Sequence, residues 1–271
     1  EPSWTRSISR SELSICVPSP LTVLADGTYQ IAVLGRNSAG VWQPESAPTL
    51  SHPWTVAASA ARVRLSEVLA SNGTAVPWNN AYPDLIELHN DSPHPADLSG
   101  LSLTDDLTTP PAFTFPENSI LAAGEYLVLI ADRDTAAPGL HLGFQLSREG
   151  GRVALFDRAA NGGQLLDIVH YGMQVQGLSI AWTDSGEWQL ASPTFGGPNQ
   201  PVPLGDSSRV RINEWLANAG VSQRNDFIEL YNPEVLPVAL GGFSLTDEPA
   251  GWPRRQPLPP LTFIPAKGYA L

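Results

Sequence analysis

Hydrophobic and polar residues alternate along this chain in short runs of a few residues. In Asp84–Asn90 (DLIELHN), Ile86, Leu88 and Asn90 fall on one side of an extended strand, and Leu85, Glu87 and His89 fall on the other. The following DLSGLSLTD places a turn at Ser99–Gly100 and a strand over Leu101–Thr104. The same reading predicts strands over 112–115, 125–131, 152–157 and 165–171. The last two form a hairpin through RAANGG, where Asn161–Gly162 is a strong turn signal. Runs with a helical apolar period are scarce. Short strands with frequent turns predict an all-β chain of immunoglobulin-like antiparallel β-sandwich modules in tandem.

The phrase occurs twice. DLIELHNDSPHPADLSGLSLTD (84–105) aligns without a gap to DFIELYNPEVLPVALGGFSLTD (226–247), and 12 of 22 positions are identical. Upstream, VRLSEVLASNG (63–73) matches VRINEWLANAG (210–220) at 6 of 11 positions. Only the loop between these blocks differs, TAVPWNNAYP against VSQRN, as expected for a duplicated domain with a variable loop. The alignment sets Leu271 near Val128, so the second copy holds no counterpart of roughly 129–199.

Residues 24–44 read differently. A turn at Asp26–Gly27 precedes Tyr29, Ile31 and Val33 alternating on one face, and HPWTV (52–56) reads as a final strand. Tyr29 after a glycine turn resembles the tyrosine corner of immunoglobulin-like sandwiches. The expected organisation is the C-terminal part of a fibronectin-III or immunoglobulin-like domain at 1–57, a complete sandwich at 62–199, a linker at 200–208 and the N-terminal half of a second sandwich at 209–271. The chain starts at Glu1 without Met and is expected to be part of a longer protein.

Composition narrows the function classes. Hydrophobic content of 42% is enough for packed cores. A net charge of −12 disfavours nucleic acid as a partner, since phosphate backbones are repelled. No apolar stretch approaches the roughly 18 residues of a membrane span, so membrane insertion is not expected. Cys16 is the one cysteine, which leaves no intrachain disulfide.

The ordered motifs VRLSEVLASNG, DLIELHN, DLSGLSLTDD, ILAAGEYLVLIA, FQLSREGGRVALFD and SPTFGGPNQ resemble bacterial lamin-tail domains over about 62–199, and again over 209–271. The stretch before them resembles the end of a fibronectin-III-like module. The resemblance implies an immunoglobulin-like sandwich and a binding or spacing role in large secreted or surface proteins. Some of those proteins also carry a CotH-like kinase, a nuclease or another hydrolase. It supplies no catalytic residues.

Several side chains invite a chemical reading. Glu67, Asp84 and Glu87 recur as Glu214, Asp226 and Glu229. They are candidate calcium ligands, with Asn90 or Asp105 adding an oxygen; the alternative is that each pairs locally or caps a turn. Simple alternation sets Glu67 on the face of Val63 and Leu65, where a buried carboxylate needs a partner. The two glutamates could also form a glycosidase pair, but their presence on framework strands in both copies favours structure. His89, Asp91 and His94 cluster in a loop, yet the second copy has Tyr231, Pro233 and Leu236 there, so a solvated loop is the better reading. Trp78 and Tyr82, in the longer loop of the first copy, are candidate contacts for a sugar or a partner protein; alternatively they cover the end of the sandwich. Trp182 and Trp188 are expected to close its base. No nucleophile elbow, phosphate loop, CxxC or HExxH is present.

The reading is a non-catalytic extracellular spacer or adhesion module, not an enzyme, which needs no cofactor and binds a protein or a cell-surface glycan. The alternative is a carbohydrate- or calcium-dependent module appended to an extracellular hydrolase, nuclease or CotH-like kinase.

Overall fold

Leu65, Val68, Ile86 and Leu88 form one face of a central strand pair, and the best-packed part of the molecule is built to bury that face. A computed structural model describes residues 27–56, 62–109, 111–217 and 226–271. The chain divides into two compact units, Glu1–Ala60 and Ala61–Leu271. Among the described residues no helix is long and apolar enough to cross a membrane.

The first unit contains β1 (Gly27–Tyr29), β2 (Ala32–Val33), β3 (Thr49–Leu50) and β4 (Trp54–Val56). They form two antiparallel ribbons, β1 with β4 and β2 with β3, and Tyr29 sits opposite Trp54 in the ladder. Ile31 and Val33 are exposed within these ribbons. Asp26, with the rest of residues 1–26, and residues 57–61 lie outside the described residues.

The second unit begins with β5 (Val63–Leu69), β6 (Asp84–Asn90), β7 (Ala96–Asp97), β8 (Ser102–Thr104), β9 (Phe113–Thr114), β10 (Ile120–Leu121) and β11 (Tyr126–Ala131). It continues with β12 (Gly151–Phe156), β13 (Leu165–Tyr171), β14 (Ser179–Trp182), β15 (Trp188–Ser192) and β16 (Gln200–Pro201). One sheet has the order β11-β6-β5-β14-β15-β16 and the other β13-β12-β8-β9, and neighbouring strands in both run antiparallel. The two sheets pack face to face. Leu65, Ile86 and Ile180 from the first share a core with Leu103, Val153 and Val169 from the second. This is an immunoglobulin-like antiparallel β-sandwich.

The hairpin of β12 and β13 forms in the expected place, but its turn is not a two-residue Asn-Gly turn. Ala159–Asn161 makes a 3-10 turn closed by Gly162 in the left-handed region, and a register shift follows Leu155. Residues 200–208, expected as a linker, give β16 to the edge of the large sheet, and Gly205 N–H donates to Pro237 O.

The second copy repeats β5 to β11 of the first strand by strand. It contains β17 (Arg211–Leu216), β18 (Phe227–Tyr231), β19 (Val238–Ala239), β20 (Ser244–Leu245), β21 (Gln256–Pro257), β22 (Phe263–Ile264) and β23 (Tyr269–Ala270). The ladders β17-β18-β23, β19-β22 and β20-β21 reproduce β5-β6-β11, β7-β10 and β8-β9. Registers coincide as well: Tyr231 faces Tyr269 as His89 faces Tyr126, and both aromatic pairs are in ring contact. Gly100 and Gly242 turn the chain at the same point with φ of 75° and 85°, a conformation that glycine adopts without strain.

The copies meet at one seam. Gly172 N–H donates to Pro260 O, Phe263 N–H to Met173 O, and Gln174 Nε2 to Leu261 O. Phe263 is part of the core of the first copy. At Gly172 a Cβ would stand 1.9 Å from Thr262 Oγ1, so the seam requires glycine.

Candidate functional site

Glu67 and Glu87 face one another across β5 and β6 because of a bulge. Leu65 pairs with Leu88 and Glu67 with Glu87, which leaves Ser66 as the extra residue. Alternation alone set Glu67 on the face of Leu65. The bulge turns it to the opposite face, and Val68 rejoins the core in its place. The same bulge recurs in the second copy, where Ile212 pairs with Leu230 and Glu214 with Glu229.

Both carboxylates are fully buried and accept hydrogen bonds from the loop that follows β15. Thr194 N–H donates to the two Glu67 oxygens at 3.1 and 3.2 Å, and Ser179 Oγ to Glu67 Oε1 at 2.5 Å. Gly196 N–H donates to Glu87 Oε2 at 2.5 Å. Asn199 completes the clamp, its Nδ2 donating to Ser66 O, Ser66 Oγ and Trp182 O. Burial raises Glu67 to about 7, opposed by the bonds from Ser179 and Thr194 and reinforced by the nearby Glu87 carboxylate. Burial likewise raises Glu87 to about 6, opposed by the bonds from Gly196 and Ser66. The pair is therefore an anchor for the loop containing SPTFGGPN.

Asp84 does not join them. It shares the strand parity of Ile86 and Leu88, opposite to Glu87, and accepts backbone bonds from Asn72 and Leu146. Burial raises its carboxyl to about 6. Asn90 is committed too: its Nδ2 donates to the carbonyls of His94, Leu121 and Ala122, and its Oδ1 accepts from Ser92. Among the described residues no three His, Cys, Asp or Glu side chains are grouped to hold a metal ion. His89 stacks on Tyr126 at 4.1 Å, Asp91 pairs with Arg62 and Arg64, and the His94 carbonyl serves Asn90.

The two loop aromatics diverge. Trp78 packs with Val76 and Phe195 over Leu69, Leu85 and Ile130, covering the outer face of the large sheet. Its backbone is bonded in both directions to Ala81, and Asn72 ties the loop through Val76 and Pro83. Tyr82 is 46% exposed. An open cleft of about 460 Å³ lies between Val76 and the 193–198 loop. Trp182 and Trp188 pair across the β14–β15 hairpin in an edge-to-face contact, with the Arg64 guanidinium 5.3 Å from the Trp182 ring.

Sequence reasoning missed two structural roles. Asn90 and its counterpart Asn232 are fully buried, and each donates from Nδ2 to three carbonyls of its own repeat. Their retention at the end of the duplicated phrase was the available signal. Asn199 left none, because its partners lie far away in the chain.

The fold and this clamp define the class as an immunoglobulin-like sandwich module whose buried carboxylates serve the framework. Residues 56–173 match the family model of the lamin tail domain, which supports the lamin-tail resemblance of the first copy. No curated protein matches the chain.

Proposed function

We propose that the chain is a non-catalytic structural and interaction segment of an extracellular or surface protein, a spacer or adhesion element that positions a partner. The observation that supports this best is how the buried acids are used. Glu67 and Glu87, the candidate glycosidase pair of the sequence, are engaged by Ser179, Thr194 and Gly196, beneath the loop. Raised carboxyl pKa values often mark catalytic acids, but here the groups face their own backbone. A bacterial origin and a fibronectin-III-like module before the lamin-tail segment belong to the same proposal, as do the boundaries at 57, 62–199, 200–208 and 209–271. A protein or a cell-surface glycan is the proposed partner.

The test is to assay the purified chain against phosphodiester, glycoside, ester and peptide substrates and to titrate it with calcium. The expected results are no turnover and a melting temperature changed by less than about 1 °C, because a ligand that does not bind the native state adds no stability. Turnover lost in Glu67→Gln, or a saturable calcium-induced rise lost in Glu87→Ala, would reverse the proposal. One observation favours a glycan-binding reading, the exposure of Tyr82 on the loop specific to the first copy. Loss of glycan-array binding in Tyr82→Ala would select it.

A further inference from the structure

The turn before β10 and the turn before β22 are one structure in two settings. The ladders put Ile120 of the first copy at the place of Phe263 in the second. Two residues earlier, Asn118 and Leu261 both lie in the left-handed region, with φ of 66° and 50°. Their surroundings differ. Ile120 is 60% exposed, whereas Phe263 is 2% exposed within the core of the first copy. Asparagine tolerates a positive φ, but for leucine that conformation is unfavourable. Leu261 adopts it while its side chain packs against the core of the first copy. The exchange runs both ways, since Met173 of the first copy packs against the core of Leu230, Val238, Leu240 and Ile264 in the second. Backbone bonds of 2.8 and 2.9 Å, from Gly172 N–H to Pro260 O and from Phe263 N–H to Met173 O, flank these side chains. Buried Gln174 adds a third bond, from Nε2 to Leu261 O at 2.8 Å.

We infer that this seam is a rigid joint: by exchanging Phe263, Leu261 and Met173, the two copies hold one fixed angle and act as a single stiff body. This rests on the reading of the chain as a spacer and specifies the kind of spacer. Modules of one chain move against one another by default, unless their interface is large and apolar. Here bending withdraws Phe263 and Leu261 from one core and Met173 from the other, and breaks the bonds at Gly172, Phe263 and Gln174 in the same step. The connection between the copies is fastened as well. β16 pairs with β15 of the first copy, and Gly205 N–H donates to Pro237 O of the second. In a chain of repeats, coupling between neighbours of this kind decides stiffness. A partner bound to one copy is therefore held at a set orientation to the other.

The test measures the distance between two spin labels by electron–electron resonance on the full chain. Cys16→Ser removes the one native thiol, and Gln164→Cys and Val235→Cys place a label on an exposed site of each copy. A single narrow distance distribution is expected. Leu261→Asn installs the residue of the first copy's turn, so it should keep the fold and broaden the distribution. Phe263→Ala should broaden it further. Ile120→Ala, at the equivalent place in the first copy, should leave it unchanged. Amide protection at Asn232, whose N–H donates to Gly268 O, reports whether the second copy stays folded in each variant. A distribution already broad in the parent would overturn the proposal. So would one that stays narrow in every seam variant with Asn232 protected. Either failure leaves the non-catalytic reading intact, since the turnover assays decide it separately.

Discussion

Leu65 and Ile212 occupy the same place in the two copies, opposite Leu88 and Leu230, at the same bulge. Leu65 is fully buried, whereas more than half of Ile212 is exposed. Val68 and Trp215 differ even more, and Glu67 is buried where Glu214 is solvated. By contrast, Asn90 and Asn232 are both fully buried, because each finds its carbonyl partners within the shared half of the repeat. The duplicated phrase therefore specifies strand, register and local turn in both places. Burial of its apolar face is supplied from outside the phrase, by β12 to β16, for which the second copy has no counterpart among the described residues.

The largest expected difference follows from that contrast. Leu65→Ala should cost about 2–5 kcal/mol, as for other large-to-small core changes, whereas Ile212→Ala should stay within about 0.5 kcal/mol. Urea unfolding of the two variants measures both. Equal costs would mean that the Ile212 face is covered in solution.

The glutamates provide the next test. Glu67→Ala removes the acceptor for Thr194 N–H and Ser179 Oγ and should cost about 1–3 kcal/mol. Glu214→Ala should cost little, on the order of a few tenths of a kcal/mol. Amide exchange at Thr194 and Gly196 should accelerate only in the first variant.

Gly172→Ala probes the seam. The added methyl meets Thr262 Oγ1 and Pro259 Cβ, so one side must move, at a cost of about 1–3 kcal/mol. Faster exchange across 256–271, with 84–90 unchanged, would show that the second copy depends on the first. Uniform loosening of both would place the damage in the core of the first copy.

The smallest effect concerns pH. An acid whose folded pKa is raised holds its proton more tightly in the native state. It favours folding at low pH, and that contribution is lost as pH rises from the unfolded value toward the folded one. Glu67 and Glu87 rise from 4.5 to about 7 and about 6, and Asp84 rises from 3.8 to about 6. Stability should therefore fall between about pH 4 and 7. His89, lowered by burial and by Arg64, acts in the opposite sense. The measurement is accordingly the difference between the parent and Glu67→Gln, with Glu214→Gln as control. Identical slopes for all three would exclude Glu67 as a source.

Much of the fold was legible in the sequence because strand pairing leaves a local trace. The alternation in 84–90 and 165–171 gave those strands their observed bounds, and the repeat of VRLSEVLASNG and DLIELHN as VRINEWLANAG and DFIELYN matches the shared pairing of β5 with β6 and of β17 with β18. The bulge at Ser66 left no such trace. One extra residue reversed the face assigned to Glu67 without disturbing any apolar count nearby. The role of the glutamates was hidden for a related reason, since their hydrogen-bond donors lie on a loop that reads as an ordinary Pro- and Gly-rich boundary. Trp78 and Tyr82 looked equivalent as loop aromatics, and only packing on Leu69 and Leu85 separates them.

The bond from Thr194 to Glu67 spans 127 positions of the chain. A ribosome adding about 5–20 residues each second takes roughly 6–25 s to cover that interval. Throughout it, the newly made first strand has a solvated carboxylate and an unpaired edge, much as β17 does in the finished molecule. Closure of the first copy is thus a late, non-local event that local strand pairing cannot hurry. The interval is a window in which a holdase, or a neighbouring nascent chain, meets an edge that later disappears.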